Sequence, residues 1–345
     1  SITIKMKVLF VGDSRKMRGG VSTVIKTIEK SSIWKKYNCN WLETQINATK
    51  IIKFWYLIKG YLKGVYMIPQ YNIIHFQTEP QKGTQTLFFF FLYAKLLKKK
   101  IIVQYHVGNQ LEKCAFLWRF KFWLKYADKT LFLGDTWVKQ MKNLIPNINN
   151  ADYLYNPVSV QHKQCTPHKY FLFAALFRAN KGCDILIKAF AKIAHKYPDW
   201  KIVLCGNGDY KPEIDRLIKD YNLFQQVELP GWIQDDQKHK YYQNAYAYCM
   251  CSYLEGLPMS VLEAMSYGVP IITTPVGCLQ EFLVDKESAL FFDYGNIDEL
   301  ATALETLIEN KSLRTKIAEN GYILAKEKFD TDVICKRLSK IYDNL

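Results

Sequence analysis

The chain has 345 residues, 49% of them hydrophobic and 15% aromatic. That composition excludes a disordered polypeptide, and the length exceeds what one ordinary core holds. The formal net charge of +15 is uneven: residues 1–160 carry 25 Lys and Arg against 8 Asp and Glu, and the remainder carries 22 against 24.

The first half therefore suits an anionic partner, such as a membrane surface, a nucleic acid or a phosphorylated substrate. Nine cysteines, an odd number with no C-x-x-C pair, argue for reduced, buried thiols in a cytoplasmic protein and against a disulfide frame or zinc site. The opening "SITIKMKVLFVG" runs straight into a strand-like segment, so no secretory leader is read there.

In chain order, Lys7–Val11 predicts a strand, followed by the loop "GDSRKMRGG" and a helix from about Val21. Residues 50–68 and 113–126 interleave lysine with Trp, Phe and Tyr, and residues 95–100 end in "KLLKKK". Such basic, aromatic, amphipathic stretches predict a surface lying in a membrane interface, with Trp55, Lys59, Lys63, Trp118, Lys121 and Trp123 as candidate contacts. Further strands are predicted at 72–77, 101–105 and 130–134. The longest apolar run, "LFFFFLYA" at 87–94, stops at Lys95 and falls far short of the ~20 residues that cross a bilayer.

A polar, proline-containing stretch at about 158–168 predicts a linker. A second series follows: "YFLFAAL", "KIVLCGNG", "QVELPGW", "AYAYCMCS", "VPIITT" and "ALFF", with helices between, and helix from Ile297 to about Tyr342. Strands alternating with helices imply parallel sheets. The expected fold is α/β, with two doubly wound Rossmann-like domains, 1–160 and 161–328, facing across a ligand-binding cleft.

The most informative stretch is "SYLEGLPMSVLEAMSYGVPIITTPVGCLQEFL", residues 252–283. A strand ends near Ser252, a glycine- and proline-containing loop follows, and a helix is predicted to open at Ser260, with Ser260 and Glu263 forming a capping box. Free loop amides and the helix dipole make such a place suited to phosphate. Glu255 and Glu263 flank it, and carboxylates accept hydrogen bonds from sugar or ribose hydroxyls. Asp235 and Asp236 are adjacent rather than spaced D-x-D and read as a helix N-terminus, so no metal site is expected.

The pair Glu255–x7–Glu263, with "EGLP" between and "YGVPII" after it, resembles the signature of the family 4 glycosyltransferases. "RGGVSTVI", "VQYHVGN", "YLYNPV", "KGCDILIKAF", "LCGNGD" and "ELPGWI" extend the resemblance over nearly the whole chain. It implies the GT-B fold and retaining, metal-independent transfer from a nucleotide-sugar, with UDP as the default. It also implies a final helix, about 329–345, that packs back on the first domain. Glu263 would hold the donor ribose and Glu255 the transferred sugar. The backbone at Leu257, Met259 and Ser260 would face sugar and diphosphate. Lys181 would neutralise the departing diphosphate, and Arg178 would replace an arginine the family carries two residues earlier, where this chain has Leu176. Gly19, Gly20 and Gly206 would let backbone approach the donor, Trp232 and Ile233 would lie near the base, and His106 would line the sugar, with His75 competing for that place. No cofactor is implied.

The expected partners are a nucleotide-sugar donor, a sugar or lipid-linked acceptor of polysaccharide synthesis, and an anionic membrane surface on the cytoplasmic side. A nucleic-acid binder would also interleave basic and aromatic residues, but no nucleic-acid motif is present. An epimerase-like or inactive protein on the same fold would leave the intact Glu255/Glu263 pair unexplained.

Overall fold

The computed structural model describes residues 6–17, 19–46, 48–106, 111–115, 117–161 and 166–345, with their side chains except those of Lys82 and Asp235. Cys165 and the middle of the expected linker lie outside the described residues. The chain divides into two compact units: one comprises the chain up to Val158 together with Phe329–Leu345, the other is Ser159–Lys328.

The first unit is built on a parallel six-stranded sheet of β1 (Val8–Asp13), β2 (Asn40–Gln45), β3 (Ile73–Thr78), β4 (Lys100–Tyr105), β5 (Lys129–Phe132) and β6 (Ala151–Tyr153), in the order β2-β1-β3-β4-β5-β6. Val8, Leu9, Phe10 and Val11 are all fully buried, as a strand covered on both faces requires. The connecting helices are α1 (Gly20–Glu29), α2 (Ser32–Lys36), α3 (Lys50–Met67), α4 (Lys82–Thr86), α5 (Phe88–Leu96), α6 (Leu111–Cys114), α7 (Trp118–Tyr126) and α8 (Asp135–Leu144).

The second unit repeats the plan with β7 (Tyr170–Ala174), β8 (Lys201–Cys205), β9 (Val227–Gly231), β10 (Ala247–Met250), β11 (Ile271–Thr273) and β12 (Leu290–Phe291), ordered β12-β11-β10-β7-β8-β9. Its helices are α9 (Cys183–Ile193), α10 (Lys211–Asp220), α11 (Asp235–Asn244), α12 (Met259–Ser266), α13 (Ile297–Glu309) and α14 (Lys311–Leu324). Phe171, Phe173, Leu186, Phe190, Ile202 and Leu204 form the centre of its core. The eight described cysteines are all buried, and none is in a disulfide.

The chain then returns to the first unit as α15 (Thr331–Asp343). The Val158 amide donates to the Phe329 carbonyl (2.8 Å), and the Thr331 amide donates to the Val158 carbonyl (3.0 Å). At the far end of α15, the Tyr37 hydroxyl donates to Asp343 Oδ1 (2.5 Å).

Two helices of the first unit differ in what they show to solvent. In α7, helical periodicity turns Phe120, Trp123 and Leu124 inward, and Trp123 stacks on Phe91 with ring centroids 4.5 Å apart. Trp123 is thus core and not the surface contact expected from its basic, aromatic setting, whereas Trp118 and Lys121 are exposed. Helix α3 is turned inside out: its only buried residues are Gly60 and Gly64, while Ile51, Trp55, Leu62 and Tyr66 are 63–75% exposed.

The glycines let α3 lie close to its neighbours, for a Cβ on Gly64 would sit 2.2 Å from Phe90 Cε1. Gly64→Val is therefore expected to lower the thermal midpoint by several degrees, from an overpacking cost of about 1–3 kcal/mol. An unchanged melt would show that α3 does not press on Phe90.

Candidate active site

In a doubly wound sheet, the loops that follow the two central strands splay apart at the point where chain direction reverses, and ligands bind there. In the second unit that point lies between β7 and β10. The loop after β7 carries Arg178, Lys181 and Gly182, and the loop after β10 carries Ser252, Glu255 and Leu257. The two loops touch closely. Gly182 has φ +68°, and a Cβ there would meet the Cys251 carbonyl oxygen at 2.1 Å, so the position needs glycine twice over. The Tyr253 amide donates to the Asn180 carbonyl (2.9 Å).

This packing joins Lys181 to Glu255. Lys181 Nζ lies 2.5 Å from Glu255 Oε1, the same oxygen accepts from the Ser252 hydroxyl (2.7 Å), and both charged side chains are mostly buried. Arg178, in contrast, is exposed at the start of the turn that leads to Lys181. Gly206, which follows β8, donates its amide to the Gly231 carbonyl (2.8 Å), and a Cβ on it would strike the Ala175 carbonyl oxygen at 2.0 Å. The structure therefore gathers Lys181, Arg178, Gly206 and Glu255 around the strand ends.

Helix α12 opens from the same loop. Its N-cap is Pro258, not Ser260, and no side chain caps it. The expected capping box is therefore absent. Pro258 holds the extended conformation that precedes a helix, so Ser260 falls within the first turn, where its hydroxyl bonds Tyr248. Glu263, freed from capping, pairs with Lys238 of α11, Nζ to Oε1 2.5 Å, with only 13% of the Glu263 side chain exposed. The start of α12, at Met259 and Ser260, is thus left without a side-chain cap, next to a carboxylate anchored by a lysine. Trp232 and Ile233 lie just before Gln234, the N-cap of α11, partly exposed and buried respectively. Sequence reasoning missed Lys238, which lies 25 residues from its partner in a polar helix with no motif of its own.

The remaining expected residues lie in the first unit, whose own reversal point falls between β1 and β3. Gly19 caps α1, again with no side chain filling the first-turn amides, and Gly20 opens the helix. Asp13 ends β1, and burial together with the Glu79 charge pushes its carboxyl up to about 6. Neither acid was singled out from the sequence, because each stands outside any motif.

His106 follows β4, and its amide donates to the Thr78 carbonyl (3.0 Å). Its Nε2 lies 2.5 Å from Gln77 Oε1, an atom that only accepts, so the Nε2 of His106 carries a proton. Gln77 Nε2 donates to Gln104 Oε1 (2.8 Å) and faces His75 Nε2 (3.0 Å), which leaves the His75 proton on Nδ1, directed at the Tyr342 hydroxyl (2.8 Å). Burial, partly offset by a hydrogen bond with Asn156, pulls the His106 pKa down to about 4. Burial and the neighbouring His106 pull His75 down to about 3. Both rings are neutral near pH 7. Fully buried His75 is a structural link to α15, while His106 is partly exposed.

Residues 159–323 match the family of glycosyl transferases group 1. That match takes in nearly all of the second unit, Ser159–Lys328. The chain is also 28% identical over 59% of its length to an uncharacterized glycosyltransferase of Haemophilus influenzae, and the match spans 56% of that protein. It is 30% identical over 46% of its length to the lipopolysaccharide core biosynthesis glycosyltransferase LpsE of Rhizobium meliloti, over 45% of that protein. The chain thus spans about half the length of these two relatives.

Among solved structures, Anabaena HepE in complex with UDP-glucose aligns with a TM-score of 0.81 at 18% identity, covering 99% of this chain and 100% of that one. The two parallel sheets are those of the GT-B fold. Within the second unit, the Lys181–Glu255 and Lys238–Glu263 pairs and the open start of α12 lie in and after the loops at the strand ends.

Proposed function

We propose that the protein transfers a sugar, with retention of configuration, from a nucleotide-sugar to an acceptor. The observation that carries this reading is the Lys181–Glu255 pair beside the uncapped start of α12. In the reading, the donor diphosphate lies at the amides of Met259 and Ser260, with Lys181 and Arg178 meeting the charge that grows as the glycosidic bond breaks. Glu255, released from Lys181, accepts from hydroxyls of the transferred sugar, and Glu263 accepts from the ribose. Leu257, Trp232, Ile233 and Gly206 bound the donor in the second unit, and Gly19, Gly20 and neutral His106 are the residues proposed to face substrate in the first.

No carboxylate is assigned as a covalent nucleophile. The leaving phosphate takes the acceptor's proton on the face from which it departs. Fixed cations and helix dipoles meet the charge without a metal, so turnover is expected to persist in chelator. Loss in EDTA with recovery in magnesium would overturn that part of the reading.

UDP is the nucleotide proposed, supported by the UDP-glucose bound to the similar HepE structure. UDP-sugars are expected to raise the thermal midpoint more than GDP- or ADP-sugars, because a ligand of the native state stabilises it by mass action. A chain unmoved by any of the three would sink the donor assignment. The acceptor is proposed to be lipid-linked, with the first unit docked peripherally on an anionic cytoplasmic leaflet. The uneven charge and the exposed apolar face of α3 support this, as does the lipopolysaccharide role in the printed name of LpsE.

A further inference from the structure

Helix α3 carries four lysines and no acid over eighteen residues. Taken around the axis at the helical period, Phe54, Val65, Ile51, Leu62, Trp55 and Tyr66 lie along the outer arc, all six exposed, with half-buried Ile58 among them. Lys59, Ile52 and Lys63 form one margin of that arc. Beyond this margin the surface turns inward through Tyr56 and Gly60 toward β2.

Between that side of α3 and β2 lies a pocket of about 510 Å³, lined among others by Trp41, Glu43, Lys59, Lys63, Tyr66 and Tyr71. Its one carboxylate is already engaged: Glu43 is ion-paired with Arg15 (2.8 Å) and accepts from the Ser14 (2.5 Å) and Tyr56 (2.9 Å) hydroxyls. Lys59 and Lys63 form no ion pair among the described residues. The pocket is therefore cationic, and one of its walls continues directly into an apolar helix face.

We infer that this pocket binds the phosphate-bearing headgroup of an anionic membrane lipid, held by Lys59 and Lys63, while the outer arc of α3 enters the acyl boundary beside it. Two features separate this from a site for a free phosphate compound. The lysines sit at the margin of the apolar arc, where long cationic side chains reach the headgroup plane from a helix lying in the interface. The charge of α3 is also of one sign, complementary to an anionic leaflet. The inference rests on the proposed membrane docking and adds to it a defined place for one lipid.

The test is co-sedimentation with vesicles of phosphatidylglycerol in phosphatidylcholine, and of phosphatidylcholine alone. It compares the parent chain, Lys59→Gln/Lys63→Gln, and the charge-matched control Lys26→Gln/Lys30→Gln in and just after the last turn of α1, with folding checked by circular dichroism. The pocket pair is expected to lose about thirty-fold in partitioning to the anionic vesicles, two lysines at ~1 kcal/mol each near such a surface. The control is expected to lose far less. Equal losses for the two pairs, or undiminished binding by the pocket variant, would overturn the headgroup site while leaving docking intact. A parent chain that binds neither vesicle would overturn docking and site together. Glycosyl transfer would then stand or fall by the nucleotide-sugar thermal shift alone.

Discussion

Glu263→Ala is expected to raise the dissociation constant for a UDP-sugar about 10- to 150-fold, corresponding to a lost charge-assisted hydrogen bond of about 1.5–3 kcal/mol. In the structure Glu263 is held by Lys238, so the carboxylate is already oriented for the ribose contact proposed for it. The substitution also leaves Lys238 without its partner. For that reason Lys238→Ala belongs beside it: this change removes the anchor and spares the acceptor, so it should weaken binding by a smaller factor. Isothermal titration with UDP alone reads the effect directly, since the ribose is part of UDP. If Glu263→Ala binds UDP as tightly as the parent while folded, the ribose assignment is wrong.

Lys181→Ala is expected to lower kcat by about a hundred-fold or more, the scale seen when one preorganised group facing transition-state charge is removed. Donor affinity should fall much less, because the charge Lys181 is proposed to meet would be greatest as the diphosphate departs. The Lys181–Glu255 distance of 2.5 Å makes the variant informative in a second way. Without the lysine, Glu255 keeps the Ser252 hydroxyl as its partner among the described residues, so KM for the sugar alone does not measure the loss. Lys181→Arg restores the charge and should recover part of the rate. Arg178→Ala should also lower kcat. Equal losses of kcat and donor affinity in Lys181→Ala would assign the lysine to ground-state binding instead.

The parts of the site that could be read from the sequence are those written locally. The acids at 255 and 263, the glycine–proline turn between them and the Lys181–Gly182 turn each lie within a few residues of a strand end. Turn chemistry and strand periodicity therefore locate them. The capping box is absent because the N-cap falls at Pro258, two residues before Ser260, a matter of backbone conformation that the S-x-x-E spacing alone does not decide.

Contacts across long separations were not readable. His75 meets Tyr342 across 267 positions, and Lys238 and Glu263 lie on different helices. Strand β2 was missed because, as an edge strand, "NWLETQ" mixes exposed Asn40 and half-exposed Glu43 with buried Trp41 and Leu42. Trp123 was placed outside because nearly every position of "WRFKFWLKY" is aromatic or basic, so the stretch shows little contrast between faces until the helix is packed.

The return of α15 to the first unit bears on the order in which the chain matures during synthesis. Residues 159–328 are contiguous and can close their core as they emerge. The first unit begins earlier, yet its buried His75 waits for Tyr342, and its Tyr37 for Asp343. The half that is translated first is therefore completed last. Between the two events the surface that α15 will cover, around Ser31, Lys36 and Tyr37, stays bare.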